Sequence, residues 1–198
     1  NMAHPDAQHR QDELKRFAVL VEAAKRLETP IITLCTGTRD TTSMWKYHPD
    51  NNTPEAWKDL GEHLERAVVI AERHNIVLGI EPEISNVVNS ATKARQLLDD
   101  FQSKHLGIII DAANVYHPGE LPDTQGILER AFDLLGNDII MAHAKDVNAN
   151  GDFKAMGCPI QPPDLEGKVT MKPNGHPYKS GMSLWHMPLQ YLTPHPFP

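Results

Sequence analysis

Apolar positions along residues 1–156 follow two alternating patterns, one with helical spacing and one in short unbroken runs. Residues 6–28 place Leu14, Phe17, Ala18, Val21, Ala24 and Leu27 on one helical face. Pro30 closes that helix, and residues 30–36 read as a buried strand. Thr53 followed by Pro54 marks a helix start, with threonine as N-cap and proline in the first turn. This helix runs to about His74, and residues 76–81 form the next strand. Ser90 caps a third helix bearing Ala94, Leu97, Leu98 and Phe101 on its face. A strand over 106–111, a helix over about 123–135 and a strand over 138–143 complete the series.

Strands that are continuous apolar runs, joined by helices, predict a parallel sheet covered on both faces. Glu81 and Asp111 are 30 residues apart, and Asp111 and His143 are 32 apart. One strand–helix unit therefore recurs with a nearly constant period. That period suits a doubly wound sheet as well as a barrel; the polar residues at the strand ends favour the barrel. The alternation stops near Met156. Nine of the sixteen prolines fall in residues 157–198, which leaves little room for a long helix. The expected organisation is α/β, a partial (β/α)8 TIM barrel over residues 1–156 followed by an irregular Pro-rich tail over 157–198.

Composition narrows this picture. The chain has 198 residues, whereas a complete barrel of this class takes about 250. The net charge of −7 argues against nucleic-acid binding by a basic face. Cys35 and Cys158 form no C-x-x-C pair, which fits a reducing, cytoplasmic setting. No apolar run reaches the roughly 18 residues of a membrane helix, and Asn1–Asp6 has no signal-peptide character.

Three polar residues close three apolar runs: Glu81, Asp111 and His143. Side chains at i, i+2 and i+4 of a strand share a face. Glu81 is thus expected to point with Gly79 and Val77, Asp111 with Ile109 and Gly107, and His143 with Met141 and Ile139. In a barrel all three would open into the C-terminal mouth, where active sites of this fold lie. Two carboxylates and an imidazole suit a divalent cation, whether Mn, Mg, Co, Fe or Zn. Such an ion polarises a carbonyl and stabilises the enediolate formed when the neighbouring C–H loses its proton. Glu83 has the same parity as Glu81; Pro82 marks the strand exit and favours Glu81. Any one of the three residues could instead be a helix cap or a solvated loop residue.

Ile80-Glu81-Pro82-Glu83, Asp111-Ala112-Ala113-Asn114 and Ala142-His143-Ala144-Lys145-Asp146 resemble the sugar phosphate isomerase/epimerase family of xylose-isomerase-like TIM barrels. Asn1–Asp6 and Leu34–Asp40 extend the resemblance, which covers about residues 1–155. It implies that the chain runs from the end of strand three to strand seven, with Glu81, Asp111 and His143 as metal ligands and Glu81 also serving as base. His4, Asn114, Lys145 and Arg39 would bind substrate, a sugar or sugar phosphate. Asn114 stands where relatives often carry a histidine, which argues against a second metal and against the apurinic-endonuclease branch. The family's eighth strand carries a further glutamate, and no strand in 157–198 supplies one. Glu166 has no apolar run before it. The expectation is that the reading frame departs from the family near Gly157. Without that acid, a non-catalytic polyol-binding relative is the alternative.

Arg39 and Asp40 follow a Gly-Thr turn and either bind a sugar or phosphate or pair with each other or a neighbour. Trp45 and Tyr47 either stack on a sugar or cover their own loop. His63, His74 and His105 read as solvated, and residues 48–52 as a capped turn. The open edges of a partial barrel predict aggregation or pairing with a second copy.

Overall fold

The computed structural model describes residues 1–115 and 123–143. Helices and strands alternate in the order α1 (Ala7–Arg26), β1 (Ile31–Cys35), α2 (Pro54–Arg73), β2 (Val77–Glu81), α3 (Ala91–Phe101), β3 (Leu106–Asp111), α4 (Thr124–Leu135) and β4 (Ile139–His143). Short 3-10 turns cover Pro49–Asn52, Ala112–Asn114 and Gly136–Asp138. Every strand pairing is parallel, and the sheet order is β1-β2-β3-β4. A doubly wound sheet reverses its strand order at a switch point. Here each strand lies beside its neighbour in sequence, which is how a barrel wall is laid down, so the described residues form part of a barrel. Lys145, Asp146, Cys158 and the 157–198 tail lie outside the described residues.

Local chemistry sets the helix starts. Asp6 accepts hydrogen bonds from the N–H groups of Gln8 and His9, Thr53 from that of Ala56, and Ser90 from that of Lys93. Each satisfies a donor that the first turn leaves without a helical partner. α3 ends at Gln102, which takes the left-handed conformation at φ 46°. Between the helices and the outward face of the sheet sits the main core, built from Leu14, Val21, Leu60, Leu64, Ile32, Leu78, Ile80, Leu97 and Ile108. Burying one such Leu or Ile contributes about 1.5–3 kcal/mol.

The inward face carries Thr33 and Cys35, then Gly79 and Glu81, then Ile109 and Asp111. A Cβ on Gly79 would lie 2.7 Å from both Cγ1 and Cδ1 of Ile109, and one on Gly107 2.7 Å from Cγ2 of Ile140. The two glycines therefore leave room for isoleucines to lie across the strands and floor the cluster above them.

The β3–β4 register shows why the simple alternation of side chains fails in the last strand. Ile108 pairs with Ile139, but Ile109 pairs with Met141, so Ile140 is the extra residue of a bulge. Ile139 packs against the helix-side core, while Ile140 lies over the inward glycines. His143 consequently shares its face with Met141, as expected, but not with Ile139.

Candidate metal centre

Glu81, Asp111 and His143 are the last residues of three adjacent strands. Asp111 is directly opposite His143 in the parallel register. One ligand atom from each residue lies within 4.8 Å of the others. His143 Nδ1 is 3.3 Å from Glu81 Oε2 and 3.8 Å from Asp111 Oδ2. The Asp111 side chain is fully buried, that of Glu81 is 10% exposed and that of His143 33%.

The far sides of the carboxylates are held by nearby N–H donors. Asp111 Oδ1 accepts the Ala113 N–H at 3.1 Å, and Glu81 Oε1 accepts Asn114 Nδ2 at 2.8 Å. Asn114 Nδ2 also lies 3.4 Å from Asp111 Oδ2. Glu83 turns elsewhere: it accepts from the N–H and hydroxyl of Ser85 and from Asn86 Nδ2, closing its own loop. Glu81 is thus the clustered acid of the two.

These residues fit a cation on two grounds. His143 Nδ1 is enclosed and makes no hydrogen bond, as a ligand nitrogen must be left. Two carboxylates brought together with little access to water form a donor set that favours a positive ion between them. An ion about 2.1 Å from each donor needs those donors roughly 3–3.5 Å apart; His143 Nδ1 and Glu81 Oε2 are at that separation, and His143 Nδ1 and Asp111 Oδ2 are slightly wider.

The substrate-binding candidates are divided. Asn114 joins the cluster. Arg39 Nη1 instead contacts Asp59 Oδ2 at 2.6 Å and the Ala3 carbonyl at 3.1 Å. Arg10 grips the same aspartate with both Nη1 and Nη2, and its Nη1 also reaches the His4 carbonyl. Of the two alternatives open for Arg39, the structure displays pairing with a neighbour. Asp40 caps its own turn through Thr42 and Ser43; its ion pair with Lys46 and these bonds hold its carboxyl well below the usual carboxylate range. The ring of His4 stacks on His9 at 3.9 Å, and its Nδ1 accepts the Asp6 N–H. Burial, with the neighbouring His9, lowers its pKa. His4 is not among the clustered ligands.

Two histidines depart from the sequence expectation. His63 is 6% exposed on the inner face of α2, and burial pushes its pKa down to about 4. His105 is 6% exposed, with Nδ1 at 2.9 Å from the Ile76 carbonyl oxygen. Each looks polar in sequence, yet each is covered by packing that brings together distant elements. His74 Nε2 lies 3.4 Å from Glu22. Trp45 and Tyr47 are 61% and 49% exposed.

Sequence reasoning also missed a latch between the loops after β1 and β2. Buried Asn51 accepts from the Thr38 hydroxyl and the Arg39 N–H and donates to the Ser85 carbonyl. Buried Asn86 accepts the Gly37 N–H and donates to Glu83 and to the Met44 carbonyl. Nothing local marks these asparagines, since Asn is equally common in solvated turns.

A family model described as xylose isomerase-like TIM barrel matches residues 1–187. No curated protein matches the chain. Among solved structures, a D-tagatose 3-epimerase-like protein is 19% identical with a TM-score of 0.60, over 79% of this chain and 57% of its own. A 3-keto-D-glucoside 4-epimerase from E. coli is 20% identical with a TM-score of 0.57, over 73% and 54%. A xylose isomerase-like TIM barrel protein from Mycobacterium smegmatis, in complex with magnesium, is 14% identical with a TM-score of 0.54, over 75% and 51%. The chain spans little more than half the length of these structures, and at such identities the likeness is one of fold. No helix among the described residues is long and apolar enough to cross a membrane.

Proposed function

Because the chain belongs to the xylose isomerase-like TIM-barrel family, we propose that it carries the metal-holding part of a sugar isomerase or epimerase. The substrate class is a sugar or sugar phosphate, and the reaction moves a proton at a carbon beside its carbonyl. The observation that supports this is the convergence of Glu81, Asp111 and His143 from three successive strand ends. Glu81 Oε2, Asp111 Oδ2 and His143 Nδ1 would hold the cation. Their oxygen and nitrogen donors suit Mn, Mg, Co, Fe or Zn. A bound ion of this kind supplies Lewis-acid polarisation of a carbonyl.

The two acids are suited to different work. Asp111 has no exposed surface, so it can only hold the ion. Glu81 keeps a tenth of its side chain accessible and is the carboxylate that a substrate can reach; with Oε2 on the cation, Oε1 would take the proton. A second reading, a polyol-binding relative without turnover, is favoured by one feature. Among the described residues the cluster offers a single reachable carboxylate, whereas epimerisation at one carbon needs groups on two faces.

Calorimetric titration with Mn2+ tests the metal reading, with the intact chain compared against Asp111→Ala. One equivalent bound by the chain and none by the variant is expected; no binding by the unsubstituted chain refutes it. A panel of aldoses, ketoses and their phosphates in deuterium oxide then separates the two functions. Deuterium entering the carbon beside the carbonyl reports proton transfer, and saturable binding without exchange supports the polyol binder.

A further inference from the structure

The geometry points to Asn114 as a positioning residue that selects which carboxylate oxygens face the cation. This rests on the metal reading of the same cluster. Asn114 ends the 3-10 turn Ala112–Asn114, which starts directly after the ligand Asp111. Asp111 Oδ1 accepts from Ala113 within that turn, so the turn and the ligand orient one another. From there the Asn114 amide reaches both acids, 2.8 Å to Glu81 Oε1 and 3.4 Å to Asp111 Oδ2.

The amide orientation follows from chemistry. Ionised carboxylates only accept hydrogen bonds, so the group between them must be the NH2 end. Two consequences follow. First, Glu81 Oε1 is tied back, which turns Oε2 toward His143 Nδ1 at 3.3 Å. Glu81 thereby offers the ion one oxygen and not a chelating pair. Second, the donor sits between two like charges and lowers their repulsion in the metal-free chain, so the ligands are gathered before the ion arrives. A carboxamide does this without adding charge to the cluster.

The test uses the full chain with Co2+ as probe, because its visible absorption reports the number and arrangement of ligands. Asn114→Leu keeps the shape but cannot donate; Asn114→Gln keeps the amide one methylene further out. The leucine variant is expected to bind Co2+ roughly 10–100-fold more weakly with an altered absorption band. The glutamine variant should recover part of the affinity and move the band back toward that of the unsubstituted chain. Far-ultraviolet circular dichroism of the metal-free forms separates a ligand effect from a folding defect. Equal affinity and an identical band in a folded leucine variant overturn the assignment, as does a glutamine variant no better than leucine. If the unsubstituted chain binds no Co2+, the metal reading itself fails, an outcome distinct from a failure of the role given to Asn114.

Discussion

Gly107 allows a direct test of how the last strand is seated. A methyl group there would meet three atoms of a single side chain: Ile140 Cγ2 at 2.7 Å, Cδ1 at 3.0 Å and Cγ1 at 3.2 Å. Carbon atoms prefer separations of about 3.5–4.0 Å, so the nearest contact is roughly 1 Å too close. Overpacking of this kind costs about 1–3 kcal/mol. Replacing glycine within a strand by alanine returns roughly 0.5–1 kcal/mol of backbone entropy. Gly107→Ala should therefore destabilise the chain by about 1 kcal/mol net. Ile140→Ala removes all three opposing atoms and, at a half-buried site, should cost about 2 kcal/mol by itself. In that background the alanine methyl no longer meets these three atoms, and Gly107→Ala should become neutral or stabilising. The double variant is thus predicted to be more stable than the sum of the single changes implies, by about 1–2 kcal/mol. Urea unfolding followed by fluorescence of the half-buried Trp57 measures all four proteins. Additive effects, or a stabilised Gly107→Ala single variant, would show that Ile140 does not lie across Gly107. The bulge that turns His143 inward would then need another explanation.

Other consequences concern residues that pack between distant elements. The pKa of His63 is depressed, first by burial and then by nearby positive charge, that of Arg10 and Arg66 included. The unfolded chain therefore takes up the proton first, so this contribution is complete above about pH 6.5 and is lost as pH falls toward about 4. It amounts to roughly 3 kcal/mol over that window. His63→Gln should flatten the stability profile between pH 6.5 and 5, above the main carboxylate titrations; an unchanged slope in urea titrations would refute this. Asp59→Ala leaves Arg10 and Arg39 facing each other with little solvent and should cost about 3 kcal/mol in a thermal or urea melt. Arg39→Ala should cost only about 1 kcal/mol, because both contacts from Arg10 to Asp59 remain; equal losses would sink the idea that Asp59 is the shared centre.

Much of the fold was legible because its signals are local. The Thr53-Pro54 start, the Ser90 cap and the six-residue apolar run of β3 depend on residues a few positions apart, and the structure places these elements within a residue or two of expectation. The candidate cluster was also legible, since a near-constant repeat brings the ends of consecutive strands side by side. What failed were inferences about surroundings. His63 and His105 look like surface histidines along their own segments, but the first is buried beside α1 and the second against the Ile76 carbonyl. For Arg39, after a Gly-Thr turn, the sequence left anion binding and pairing both open, and it took the fold to bring Asp59 from α2 against it, together with Arg10 from α1.

The sequence by itself determined the alternation of strand and helix, the caps, and the three residues that end β2, β3 and β4. These follow from spacing, propensity and hydrogen bonds within one or two turns of chain. Only the tertiary structure decided the sheet order, the bulge at Ile140, the removal of Glu83 into its own loop, and the seating of the Asn114 amide between Glu81 and Asp111. Each of these depends on a contact between segments far apart in sequence. Its energy is set by which atoms meet, and no pattern along a single segment records that.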